Sequence, residues 1–383
     1  MENVSELTGC VSFEVTSEGR LMGCKRTILV GLLAVSCGTS SVPTECTIGA
    51  TTYKAEATNP APEFGVCQVC TPTLSAIAWT NAKVGTTCGM SQVCLSGGRC
   101  ARAFRKLTGT GTSTWYDVGG TAGEVWVVGS ASRALKSTDQ GATWSTLSLP
   151  GLSTRYGVWS PSAGHAFIVG AGGTVLETTN GGESFTQLPS PMFRVLKGVW
   201  GTSGSELFVV GTDGFIGKST NEGQEWTTLR SSSDGGVQLT LNAIWGDANG
   251  IFVVGDTGTI LRSTNRSTFD RVPLSTTIPL FGVFGTGESV FAVGSAGTVL
   301  RTKDREKWEL LVTPIRQDLT DVWGAGSEVY VSTQQGLVYR SADDGATWTE
   351  LSSAGAQTVY GLWGSSTDDL YAVGSSGVLL RTP

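Results

Sequence analysis

The chain has 383 residues, 39% of them hydrophobic and 15% charged, with a formal net charge of -6. That balance argues against a nucleic-acid binder, which needs clustered Lys and Arg for phosphate contacts. Fifty-three glycines beside plentiful aromatic and β-branched residues argue against disorder and for a turn-rich all-β protein of one large or two smaller domains.

In chain order, the first distinctive stretch is Lys25-Arg26 ahead of the apolar run from Thr27 to Val35. The run is too short to span a bilayer and suits the h-region of a signal peptide, so export is expected, with Met22 as the start the cell uses. A buried core strand is the alternative reading of the run. Leu33-Ala-Val-Ser-Cys37, followed by Gly-Thr-Ser-Ser, resembles a bacterial lipoprotein cleavage site, although Ala34 stands where that family usually has Leu. The resemblance implies a non-mature segment over 1–37, lipid on Cys37 and a cell-envelope location at the outer membrane. Plain secretion is the alternative.

Of nine cysteines, Cys10 and Cys24 precede Cys37, and Cys46, Cys67, Cys70, Cys88, Cys94 and Cys100 cluster within residues 38–102. None follows Cys100. An even set of six in a stretch too small to bury much core, in an exported chain, reads as a disulfide-rich module whose pairing is open. Cys67-Gln-Val-Cys70 has zinc-ligand spacing, but the later cysteines are spaced too widely and no histidine is near, so no metal and no cofactor is expected. The stretch from CTIGATTYKAEATNP to CLSGGRC resembles a cysteine-rich module common in secreted proteins of myxobacteria and related bacteria. That resemblance brings no catalytic residues.

From residue 103 to the end the chain repeats. Aligning on the Gly that closes the second apolar run gives Gly129, Gly170, Gly211, Gly255, Gly294, Ser332 and Gly374, at spacings of 38 to 44 residues. Each copy has a first run with an aromatic residue, commonly Trp (Trp159, Trp200, Trp245, Trp323, Trp363). An alternating strand such as Glu206-Leu-Phe-Val-Val-Gly211 follows, then a strand such as Gly297-Thr-Val-Leu-Arg-Thr302, then a short one such as Glu225-Trp-Thr-Thr-Leu229. Four strands per copy without helical periodicity predict a seven-bladed β-propeller. The last copy ends before its fourth strand, while Ala103-Phe104-Arg105-Lys106-Leu107 has that strand's shape, so the N-terminal strand is expected to close the last blade.

Between the third and fourth strands, Ser137-Thr-Asp139-Gln-Gly141-Ala-Thr-Trp144 and Ser341-Ala-Asp343-Asp-Gly345-Ala-Thr-Trp348 follow the pattern S-x-D-x-G-x-x-W. Asn180 and Asn221 replace the Asp in two more copies, and the turns at Asn265 and Asp304 lack the Gly. An Asp bonding back to nearby N–H groups, a Gly at positive φ and a sealing aromatic ring make such a turn. The pattern resembles the Asp-box of sialidase-like and related propellers. Over 103–383 the chain resembles the bacterial BNR-repeat and photosystem II assembly-factor type, whose members mostly bind proteins or glycans.

Most tryptophans are thereby accounted for as repeat core, leaving Trp79, Trp115 and Trp126 as better ligand candidates. The one histidine, His165, falls in a predicted turn with no catalytic motif around it. Propeller ligands gather over the central channel, on the face formed by the connections between second and third strands and between successive blades. That nominates Arg155, Tyr156, Arg194, Lys197, Asp213, Asp256, Arg316, Asp318 and Asp321. The expected function is a monomeric surface-binding or scaffold protein for a protein or glycan ligand, without catalysis, touching the membrane only through its lipid. The alternative is a glycoside hydrolase of sialidase or xyloglucanase type. Phe193-Arg194-Val195-Leu196 lacks the Pro of the sialidase FRIP motif, and such chemistry needs two converging carboxyl groups.

Overall fold

The computed structural model describes residues 104–107, 111–231, 239–353, 355 and 357–382, together with the backbone of short strands between 21 and 102. The chain divides into two compact units, Met1–Ala101 and Arg102–Pro383. In the first, short strands pair in antiparallel fashion, such as Glu45–Ile48 with Thr51–Lys54. The side chains of Cys37 and of the six clustered cysteines lie outside the described residues, and so does Trp79.

The second unit is a seven-bladed propeller of four-stranded antiparallel sheets. The innermost strands are Trp115–Thr121, Arg155–Ser162, Leu196–Gly201, Leu241–Asp247, Leu280–Thr286, Leu319–Ala325 and Val359–Ser366. Blade 7 runs Val359–Ser366, Asp369–Gly374, Leu379–Arg381 and then Arg105–Lys106, which pairs Arg105 with Arg381 and Lys106 with Leu380. The Leu107 N–H donates to Leu379 O at 2.8 Å, and Phe104 and Leu107 are buried on either side. The ring therefore closes through the strand that precedes the first repeat.

The second strand of each blade is apolar on both faces because both are covered. Glu124–Gly129, Gly250–Gly255 and Ser289–Gly294 are buried at every position. Their side chains form cores between neighbouring blades: Trp126 and Val128 of blade 1 pack with Val158, Ala166 and Ile168 of blade 2. The glycine ending the second strand is forced by close approach. A Cβ on Gly211 would sit 2.1 Å from Val195 O, and one on Gly374 1.9 Å from Thr358 O.

Pairing corrects one alignment made on sequence. In six blades the first residue of the innermost strand faces the closing glycine, as Trp115 faces Gly129 and Val359 faces Gly374. In blade 6 Leu319 faces Thr333, so Thr333, not Ser332, holds the equivalent position. The following turn is built differently there, with the Thr333 hydroxyl accepting from Leu337 N–H at 2.9 Å.

The turns between third and fourth strands share one bonding scheme. Asp139, Asn180, Asn221 and Asp343 each accept, through Oδ1, the N–H four residues on at 2.8–3.1 Å. The hydroxyl two residues before each accepts the glycine N–H, as in Ser137 from Gly141 at 2.8 Å. The two shortened turns keep the acceptor and lose the glycine: Asn265 and Asp304 each cap two N–H groups, while Arg266 and Arg305 take φ values of 59° and 64°. An arginine in the left-handed region is uncommon, and each is anchored by its guanidinium, Arg305 on Asp247 and Arg266 on Glu206.

Because closure rests on one short strand, Phe104→Ala and Leu107→Ala are each expected to lower the melting temperature by roughly 5–10 °C. Calorimetry tests this, and an unchanged transition would show that the ring does not depend on the strand.

Candidate functional site

Every innermost strand carries a β-bulge at its second residue. The register skips Tyr116, Tyr156, Lys197, Asn242, Phe281, Thr320 and Tyr360 in blades 1 to 7. A bulge sets two residues against one, breaks the alternation and re-aims a side chain. All seven of these side chains line one mouth of the central channel, a cavity of about 280 Å³ completed by Asp318 and Gln334. Below it a second cavity of about 340 Å³ runs between the innermost strands.

The mouth is asymmetric. Tyr116 stands between Tyr156 and Tyr360 with ring centroids 5.1 and 5.2 Å away. The Lys197 ammonium lies 4.1 Å from the centre of the Tyr156 ring, within cation–π range. Burial lowers the Lys197 pKa, with Asp256 acting in the opposite sense. Burial and the two neighbouring phenols raise that of Tyr116. Blades 4 to 6 contribute Asn242, Phe281 and Thr320 instead.

The residue after each bulge is Gly, Ala or Asp, because the strands crowd there. A Cβ on Gly282 would lie 2.9 Å from Asp321 Cα, and one on Gly361 3.1 Å from Asp117 Cα. Asp117 and Asp321 use this contact to join blades. Asp117 accepts from its neighbour Val118 and from Val158 of blade 2, both at 2.8 Å. Asp321 accepts from Val322 and from Leu362 of blade 7, again at 2.8 Å. Burial outweighs these bonds and raises Asp117 to about 8 and Asp321 to about 7, with Asp321 adding to the rise at Asp117.

Deeper in the channel, Trp159, Trp200, Trp245, Phe284, Trp323 and Trp363 form an aromatic belt that blade 1 interrupts with Gly119. Each indole seats against the next blade: a Cβ on Gly246 would lie 2.8 Å from Trp200 Cη2. Trp115 and Trp126 are fully buried in the blades. His165 bonds Glu177 at 2.9 Å and packs on Phe167.

Of the residues nominated from sequence, Tyr156, Lys197, Asp318 and Asp321 line the two cavities. Arg155 is 1% exposed, its guanidinium bonded to Ser153 Oγ and Pro150 O, and it tethers the connection between blades 1 and 2. Arg194 and Asp213 pair with each other on the rim. Asp256 caps Thr240 N–H at 3.1 Å, Asp318 accepts from Ala296 N–H at 2.8 Å, and exposed Arg316 reaches Thr313 O. Sequence reasoning missed Tyr116, Asn242, Phe281, Thr320 and Tyr360. Each stands three residues before the aromatic or glycine position of the first run, so the repeat register held the signal.

A family model for the DUF6242 beta propeller domain matches residues 283–382. No curated protein sequence matches the chain. Among solved structures, one described as YCF48 bound to D1 peptide is similar at TM-score 0.63 and 18% identity, over 78% of this chain and 99% of that one. YCF48 from Cyanidioschyzon merolae gives 0.62 and 18%, over 73% and 98%. The GH74 xyloglucanase from Xanthomonas campestris gives 0.57 and 15%, over 73% of this chain and 53% of the enzyme. At these identities the likeness is one of fold.

Both raised carboxyls keep their protons to higher pH in the folded chain than the 3.8 of a free Asp. A folded pKa above the unfolded one stabilises the fold below the unfolded value, and that stability is lost as pH rises through the folded value. The melting temperature is expected to fall between about pH 4 and pH 8 and then level off. Asp117→Asn with Asp321→Asn should flatten that slope while costing about 1–3 kcal/mol through lost acceptors. A slope as steep in the double variant would remove these residues as its source.

Proposed function

We propose that this chain is an exported, non-catalytic binding protein that uses the bulge-lined mouth of its propeller to hold a protein ligand. The observation that carries this reading is the convergence of seven bulged side chains on one mouth, three of them contiguous tyrosines beside a lysine. Tyrosine offers large, rigid contact area with a polar tip at little entropic cost, which suits protein recognition. The likeness to YCF48, solved with a peptide bound, supports a protein ligand over a glycan. Against the hydrolase alternative, Asp117, Asp213, Asp256, Asp318 and Asp321 are all engaged by the protein's own donors. The xyloglucanase is also about twice the length this fold spans.

In this reading the segment 1–37 directs export, Cys37 carries lipid that anchors the protein in the outer membrane, and the six-cysteine module, disulfide-bonded, links anchor to propeller. An origin in myxobacteria or related bacteria fits that module. The S-x-D-x-G-x-x-W turns are Asp-boxes that serve the fold rather than the ligand.

A photo-crosslinking residue placed at Phe281 of the full chain should capture an envelope protein, and Tyr116→Ala with Tyr360→Ala should cut that capture at least tenfold. The same label at exposed Gln140, on the opposite face, should capture nothing. Capture from Gln140 alone would overturn the choice of face. Cys37→Ser should move the protein from the membrane to the soluble fraction, and retention in the membrane would exclude lipid as the anchor.

A further inference from the structure

Four residues before Tyr156 stands Leu152, and four residues before Lys197 stands Phe193, at equivalent places in consecutive connections. Leu152 is 93% exposed and Phe193 90%. Large apolar side chains so fully presented to water, in successive connections that lead into the strands of the mouth, suit a docking surface rather than a folding element. Between the strands they lead into, the Lys197 ammonium sits on the Tyr156 ring, drawn partly out of water. Its nearest opposing charge, Asp256, is already occupied by Thr240 N–H and the Asn242 amide.

Ion pairs are distributed unevenly between the faces. Among the described residues, the ion pairs lie on the face of the turns between third and fourth strands, as in Lys136 with Glu124 and Arg340 with Glu328. Arg194 with Asp213 is the exception on the mouth face, and Arg194 remains 58% exposed. A chain of net charge -6 thus holds, in the strands and connections of blades 2 and 3 that carry these apolar tips, a lysine outside the described ion pairs and an exposed arginine paired with Asp213. Their complement is a carboxylate flanked by apolar groups.

We infer that the mouth at blades 2 and 3 docks an extended segment of a partner protein, an acidic side chain reaching Lys197 while large apolar side chains rest on Leu152 and Phe193. Side chains two positions apart share a face of an extended chain, so the segment carries its apolar residues two positions before or after the acidic one. The inference rests on the protein-binding reading above and names the chemistry of its ligand.

The test is selection of a random heptapeptide phage library on the full chain, with peptides fused at their C-termini so that the only carboxylates are side chains. Enriched peptides should carry Asp or Glu with Leu, Ile, Phe or Met two positions away. In fluorescence polarisation with amidated synthetic peptides, Glu→Gln should weaken binding at least tenfold. Lys197→Met, which keeps the stem over Tyr156, should bring that Glu-to-Gln ratio close to one, and Lys197→Arg should restore it. Leu152→Ser with Phe193→Ser should weaken both peptides about tenfold and leave the ratio intact, with melting unchanged because both side chains are exposed. Enriched peptides without an acidic residue, or a ratio unmoved by Lys197→Met, would overturn the inference. Absence of enriched peptides with the Phe281 cross-link intact would overturn it and leave the protein-binding reading standing. Loss of both would overturn both.

Discussion

The bulge at the second residue of each innermost strand is the constraint on which the rest of the propeller's chemistry depends. An innermost strand has a free edge toward the channel, and a free edge carries unpaired N–H and C=O groups that something must satisfy. Placing one extra residue there lets the following residue come close to the next blade. Where that residue is Asp, its carboxylate reaches the neighbouring strand's N–H, as Asp117 does to Val158 and Asp321 to Leu362. Where it is Gly, as at Gly157 and Gly361, the backbones themselves close the gap. One irregularity thus packs the ring and frees a side chain per blade to face the channel.

The two faces divide the work. On the side of the turns between third and fourth strands, hydroxyls, Asp and Asn side chains and ion pairs are spent on one another, and the rings of Trp144 and Trp348 seal onto the preceding blades. Those interactions repeat from blade to blade because they serve the repeat. On the mouth side the closing glycine repeats in six blades and the bulge in all seven, but the bulge presents tyrosine at blades 1, 2 and 7 and a different side chain at each of the other four. A fold of seven similar units can specify a partner only where the units differ, and here the differences fall in one ring of positions.

Much of the architecture was legible in the sequence because it is periodic. The closing glycines, the indoles of the first runs and the turn pattern each answer a local steric or hydrogen-bonding demand, and the strand before the first repeat matched the one the last repeat lacks. The alignment slipped at Ser332 because blade 6 has no closing glycine, and pairing with Leu319 moved the match to Thr333. The site was harder to read. Arg155 and Asp321 looked available as charged residues near the mouth, yet one tethers a connection and the other clasps a blade. Tyr116 and Tyr360 looked unremarkable, because whether a bulge re-aims a side chain depends on strand pairing, which composition does not reveal.

The seam at blade 7 sets a temporal order on the molecule. Arg105 and Lys106 leave the ribosome before any complete blade, and their partners Arg381 and Leu380 emerge only after the six blades between them. Six blades can pair internally as they emerge, but the ring cannot lock until the third strand of blade 7 has been made, and contacts of such long sequence separation form slowly. During that interval the third strand of blade 7 and the waiting Arg105–Lys106 strand are open edges. Until this final pairing forms, the blades already made are held only to their neighbours, and the molecule becomes a closed ring in a single last step.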